Sequence, residues 1–219
     1  MPIVLHQFGA LGAAGQPGYL AAKELARQCV EQYHLNILMG AGGGIAGGSC
    51  WAALAVQPNP GAGFPAPMGV NIAGPVGTAI PGAWGGLPYS IVFGNSQMAG
   101  IGAMVPIPGV VGGLANHAER NALIIAGGNG LALYQLMGLA AQGVLFVQLA
   151  PCGPGFSNCA AWLAGGGGGV ANPYAAALGP MGAFTLHVWY RWLHPGGVGA
   201  MIAWNNQTRA AKLASINGW

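Results

Sequence analysis

Four residues have the types and order that zinc chemistry needs: His117 and Glu119 in the run NHAERNAL (116–123), then Cys152 and Cys159 downstream. One imidazole and two thiols are a donor set that Zn²⁺ accepts, and three protein ligands leave a fourth position for water, the arrangement of a catalytic zinc. Two thiolates neutralise the ion. An ion so held lowers the pKa of its water to about 7, and a group must then carry the proton. Glu119 is the only side-chain carboxylate after Glu31, and the chain has no aspartate. His117, Cys152 and Cys159 are therefore the candidate metal ligands, Zn²⁺ the expected cofactor, and Glu119 the expected catalytic acid and base.

Local structure must bring these side chains together. Residues i and i+2 of a regular helix point about 200° apart, so His117 and Glu119 converge only if His117 lies at the first turn. Asn116 as the helix N-cap predicts that placement, and Asn158 is placed to cap a second helix opening at Cys159. Thiolates at a helix N-terminus gain from its unpaired N–H groups and its dipole. Each piece also has a plainer reading. Asn116 and Glu119 fit a capping pair, and Cys152 and Cys159 fit an unreactive pair or a disulfide.

The supporting elements can be read from the pattern. Residues 17–34 form an amphipathic helix with Leu20, Leu25 and Val30 apolar and Lys23, Glu24, Arg27 and Glu31 on the polar sides. A Gly-rich stretch and a Pro/Gly-rich run (57–69) follow, which place a domain boundary between a leader, 1–65, and a second domain, 66–219. Beyond it, 70–74 and 90–94 read as strands, and 104–111 as an edge or loop because of its two prolines. A helix opens near Asn116 and breaks at 127–130. Residues 144–150 form a buried strand, a helix starts near Cys159, 184–192 form an aromatic-rich strand, and 200–216 a closing helix. That order predicts a layered α/β domain.

Composition narrows the rest. Charged residues are 4% of the chain, glycine reaches 42 residues, and the net charge is +3. The mild basic excess tolerates a polyanionic partner without demonstrating one. The first residues lack the basic start of a Sec signal peptide. Two stretches, 37–56 and 130–150, are long enough to span a membrane. The first carries Gly40, Gly44 and Gly48, spaced for close helix packing in lipid. The second reads better as buried helix plus strand, so no stable span is favoured. Without aspartate, an Asp-based triad and an EF-hand are excluded, and no GxxxxGK[ST] loop occurs.

His117-Ala118-Glu119-Arg120-Asn121-Ala122-Leu123, with Pro151-Cys152, Cys159 and Leu163, resembles the H-x-E…P-C-x-x-C signature of the cytidine deaminase superfamily. The resemblance covers about residues 116–163. Six residues separate the cysteines where the signature has two, and Gly153, Pro154 and Gly155 let the longer loop turn back. It implies a cytidine-deaminase-like three-layer α/β/α sandwich around a mixed central sheet, with zinc between two helix N-termini. It also implies hydrolytic deamination of cytosine to uracil, Glu119 passing a proton to the ring nitrogen and then to the departing amine. Adenine, or free (deoxy)cytidine, is an alternative substrate. Free cytidine deaminases commonly carry Cys where His117 stands, and the HxE helix with a Gly-rich leader before a C-terminal deaminase looks like the arrangement of bacterial toxin-type deaminases, to which the chain is most similar. That likeness implies nucleic acid, DNA rather than RNA, as substrate, an immunity protein as partner, and delivery into a target cell's cytoplasm.

Three further residues are candidates for substrate contact. In the strand 184–192, alternation puts His187, Trp189 and Arg191 on one face, where Trp189 can stack a base and Arg191 meet phosphate; the plainer reading packs Trp189 under a helix. Asn95 is placed to reach the sugar or base, or is simply a turn residue. Arg209 and Lys212 on the closing helix read as a solvated face or as phosphate contacts. A reading of another class, a Gly-rich membrane-associated or structural protein without catalysis, follows from the low charge and the glycine series.

Overall fold

The computed structural model describes residues 2–38, 50–56, 78–79, 88–96, 117–120, 122–123, 142–154, 158–165 and 185–219. Six strands are described: β1 (Ile3–Gln7), β2 (Trp51–Val56), β3 (Thr78–Ala79), β4 (Pro88–Asn95), β5 (Gln142–Leu149) and β6 (Thr185–Trp192). The described helices are α1 (Tyr19–Leu38), α2 (Cys159–Leu163), α3 (Val198–Asn205) and α4 (Arg209–Asn217). Residues 118–120 and 122–123 are also helical. The strands lie in the order β1-β6-β5-β2-β4-β3. β1, β6 and β5 run parallel, while β2 is antiparallel to both β5 and β4, so the sheet is mixed.

β5 lies between β6 and β2, and Val144, Leu145, Phe146 and Val147 are all fully buried. Burial on both faces explains why this stretch is a continuous apolar run rather than an alternating one. Alternate residues divide the two faces. Ala53, Ala55, Phe93, Val144, Phe146 and Trp189 pack with Ala22, Leu25, Ala26 and Val30 of α1 and with Trp204, Ile216 and Trp219. The opposite face receives the helical residues 118–120 and 122–123, because a Cβ on Gly94 would meet Ala118 O and Ala122 N. Helices thus cover both faces of a mixed sheet, the α/β sandwich expected.

α1 seats itself differently from the sequence reading. Its buried stripe is Ala21, Ala22, Leu25, Ala26, Cys29 and Val30, while Leu20 is 52% exposed. Alanines bring the helix axis close to the sheet. The polar side behaves as expected and clasps α4: Lys23 Nζ donates to Asn217 O at 2.9 Å, and Arg209 Nε donates to Glu31 Oε2 at 2.7 Å.

Two expectations are corrected. Residues 1–65 are not a separate leader. β1 pairs with β6 from Ile3↔Leu186 to Gln7↔Tyr190, and β2 lies between β5 and β4. One sheet therefore draws strands from both sides of the boundary placed at 65/66. The closing helix is two helices, broken at Asn206–Thr208. Thr208 adopts extended backbone, φ −64° and ψ 157°, and its Oγ1 accepts the Ala211 N–H at 3.2 Å, opening α4 afresh.

The ends of both candidate spans are strands, β2 and β5, and among the described residues no helix is long and apolar enough to cross a membrane. The strand expected at 70–74, the edge or loop at 104–111, the helix break at 127–130, the glycine series at 40–48 and Asn116 lie outside the described residues.

Candidate metal centre

The end of β5, the start of β2 and the end of β4 lie side by side at one end of these strands, and the chemistry-bearing residues gather there. Cys152 follows β5 by three residues, Cys159 opens α2, and His117 immediately precedes the helical residues 118–120. Their ligand atoms lie within 4.8 Å of one another, so His117, Cys152 and Cys159 form a group that could hold a metal ion. His117 Nδ1 is 3.9 Å from Cys152 Sγ. A tetrahedral ion with bonds of about 2.0–2.3 Å sets its ligand atoms roughly 3.3–3.8 Å apart, so the donors stand near the spacing such an ion requires. All four cysteines of the chain are free thiols, which removes the disulfide reading of Cys152 and Cys159.

Glu119 lies beside this group. Its Oε1 is 3.8 Å from His117 Nδ1, and its residue is 4% exposed. His117 at the helix entry, before the first helical turn, is what permits an i, i+2 pair to converge. Burial raises the Glu119 carboxyl above its ordinary value, opposed by the His117 imidazole. His117 is itself raised, first by its hydrogen bond to Cys152 and then by the nearby Glu119, against burial.

The two sulfurs divide the roles of acid and base. Hydrogen bonding from Cys159, then from His117, holds the Cys152 thiol down at about 3. Cys159 is pushed up, because its own proton is held in the hydrogen bond to Cys152 and the group is buried. The Cys159 backbone N–H points at Cys152 Sγ at 3.4 Å, and Ala160 N donates to Cys152 O at 3.2 Å. Cys152 therefore caps α2, and the expected cap is corrected. Asn158 occupies the N-cap position in the left-handed region, φ 51° and ψ 44°, and makes no side-chain cap hydrogen bond. Asparagine tolerates that conformation better than most residues, and it lets the loop turn back so that sulfur replaces the amide oxygen.

Sequence reasoning missed two parts of this site. Arg120 is 4% exposed, its Nε lies 3.2 Å from Cys159 Sγ, and its guanidinium sits over the Trp162 ring at 5.2 Å. Its position directly after Glu119 was the available signal. The second is the cavity, about 300 Å³, lined by Glu119, His117 and Cys152 together with Cys50, Ser96, His194 and Met201. Burial and Glu119 push the Cys50 thiol up to about 12, so it stays protonated. Nothing local in the sequence ties Cys50 to Cys152.

The substrate-contact candidates fare differently. Trp189 is fully buried on the α1 face, stacked on His6 at 4.6 Å, with Nε1 donating to Pro17 O at 3.0 Å. Arg191 Nη1 donates to Phe8 O at 2.8 Å, and its guanidinium lies over Trp219. Neither lines the cavity. Both are corrected from ligand contacts to structural residues, because the segment taken for a leader covers that face of β6. Asn95 ends β4 opposite Trp51, one residue before the cavity-lining Ser96; its side chain lies outside the described residues. Lys212, expected on a solvated face, is 3% exposed.

Compared with known protein families, with curated proteins and with solved structures, the chain matches none.

Proposed function

We propose that this chain is a zinc-dependent hydrolytic deaminase that converts cytosine to uracil in nucleic acid, DNA rather than RNA. The supporting observation is the convergence of His117, Cys152 and Cys159 within 4.8 Å at the wall of a cavity that Glu119 also lines. Two thiolates with one imidazole favour zinc over the hard, oxygen-seeking cations. The charges also close, since two thiolates offset a dication. Bound there, zinc supplies a Lewis acid that makes water available as a nucleophile near neutral pH.

The chain's own residues do the remainder. Water adds at C4 of the base, and Glu119 takes its proton and delivers it to the ring nitrogen. Glu119 then takes the proton of the new C4 hydroxyl and passes it to the exocyclic amine, the C–N bond breaks, ammonia leaves and a carbonyl remains at C4. A carboxyl whose pKa is raised by burial is suited to give back a proton it has taken. Cys50, Met201 and Leu149 line the cavity and restrict water around the base.

A second reading, free (deoxy)cytidine as substrate, is favoured by the inward engagement of Trp189 and Arg191, which removes the stacking platform and phosphate contact expected from sequence. One experiment separates the readings. The purified chain is analysed for metal and incubated with single- and double-stranded oligonucleotides, cytidine, deoxycytidine and adenosine, the products being read by mass spectrometry. Stoichiometric zinc and amine-to-carbonyl exchange in an oligonucleotide, lost in Glu119→Gln, is the expected result. Exchange in the free nucleosides alone selects the second reading. Zinc without exchange in any substrate defeats the deaminase reading, and absence of a bound metal defeats both.

A further inference from the structure

Away from the thiolate cluster, α1, α3 and α4 surround a buried cation that, among the described residues, has no carboxylate paired to it. Lys212, in the second turn of α4, directs its Nζ at three aromatic rings: Tyr33 at 4.6 Å, Trp51 at 5.3 Å and Trp204 at 5.7 Å. The chain has three side-chain carboxylates, and each is held by a partner other than Lys212, Glu31 by Arg209 beside this same cavity. Glu24 accepts from Arg27 and Gln28, Glu31 is clasped by Arg209, and Glu119 faces the metal cluster. Aromatic faces soften the desolvation of an ammonium but do not neutralise it.

Lys212 lines a cavity of about 450 Å³, with Asn206, Gln207, Thr208 and Arg209 at its mouth. This is the N-terminus of α4, a nine-residue helix, where the macrodipole favours an anion. Thr208 Oγ1 accepts the Ala211 N–H, so its hydroxyl proton remains to donate.

The geometry points to a phosphate-binding site at this cavity, in which the Lys212 ammonium, held by its aromatic rings, meets a phosphate group that the start of α4 and the Thr208 hydroxyl also contact. A phosphate supplies the negative charge that the chain's own carboxylates do not. Burial also lowers the Lys212 amine to about 8, which an adjacent anion would reverse. The site does not depend on the deaminase reading. The phosphate is either free or carried by a nucleotide, and the chemistry offered to it is the same.

The test uses the full chain. Acylation of Lys212 by a small amine reagent, located by peptide mass spectrometry, is followed with inorganic phosphate, deoxycytidine monophosphate or a short oligonucleotide added. Phosphate is expected to slow acylation of Lys212 at least about ten-fold at saturation and to change the emission of the adjacent Trp51 and Trp204. Lys212→Met, which keeps the volume and the apolar contacts, should weaken phosphate binding at least about ten-fold. Asn206→Asp, on an exposed residue at the mouth, should weaken it by a similar factor through repulsion, so the test stands even if the first variant folds poorly. Preferred binding of inorganic phosphate assigns a free phosphate, and preferred binding of the nucleotide or oligonucleotide assigns a carried one; either supports the site. Unchanged acylation and emission with all three additions overturns it, as does full phosphate affinity in Asn206→Asp.

Discussion

Arg120 Nε lies 3.2 Å from Cys159 Sγ while its guanidinium rests on Trp162, so one buried cation is fixed beside one sulfur of the candidate metal centre. The contact favours the thiolate form of Cys159, which metal binding requires. Arg120→Gln keeps a donor and removes the charge. It is expected to weaken zinc binding by about 10–100-fold, the range seen when a partner of a ligand is altered. Competition with a chromophoric chelator measures it, and unchanged affinity would dismiss a role for Arg120 at the metal.

Metal removal should reach stability as well as activity. The ligands come from three separate parts of the fold: the helix entry at His117, the loop after β5 and the start of α2. An ion that binds only when these are assembled stabilises the folded state by roughly 2.7 kcal/mol at a hundred times its Kd, or about 5–10 °C in Tm for a chain of this size. Chelation should produce that drop in wild type and none in Cys159→Ser. Equal melting of wild type with and without chelator would contradict the assembly.

Gly94 is the position at which the helical segment touches the sheet. Gly94→Ala drives a methyl toward Ala118 O and Ala122 N, both backbone atoms that cannot rotate away. A loss of about 1–3 kcal/mol is expected from overpacking, together with weaker zinc binding, because the same segment carries His117 and Glu119. Gly153→Ala, with nothing within 4 Å of the new methyl, is the neutral control. Denaturant unfolding of the two variants makes the comparison.

Trp189 tests the correction on β6. Trp189→Phe removes the Nε1–H donated to Pro17 O and part of the packing against Phe8 and His6. It should destabilise the fold by about 1–3 kcal/mol and leave oligonucleotide affinity unchanged. A selective loss of nucleic-acid affinity at constant stability would restore the ligand-contact reading.

Lys212 gives a pH signature with a defined sign. Burial lowers its folded-state value to about 8 from 10.5 in an exposed chain. Below about 8 both states hold the proton and the full cost of the buried charge is present. Between about 8 and 10.5 the unfolded chain binds more protons than the folded one, so stability rises with pH, by at most about 1.4 kcal/mol per unit. Cys50, raised to about 12, acts in the opposite direction above the ordinary thiol value of 9.0. The Lys212 contribution is therefore isolated by subtracting the Lys212→Met profile from wild type between pH 8 and 9. A flat difference would show that the amine is not desolvated.

What could be read without coordinates followed the range of the physics. Residue type and order alone nominated His117, Glu119, Cys152 and Cys159, since donor chemistry belongs to the side chain, and the i, i+2 argument placed His117 at a helix entry. The apolar run at 144–150 announced a strand buried on both faces, because backbone periodicity and burial leave a local trace. Coverage left none. A Gly- and Pro-rich stretch looked like a boundary, yet β1 pairs with β6 across more than 180 residues and β2 is inserted beside β5. That pairing put α1 over Trp189, turned Arg191 inward to Phe8, enclosed Lys212 among three rings, and brought Cys50 to the cavity. Each is a contact between segments far apart in the chain, selected by the burial of whole faces rather than by any neighbour in sequence. Composition and spacing named the candidate ligands, and long-range strand pairing decided which side chains remain open to one.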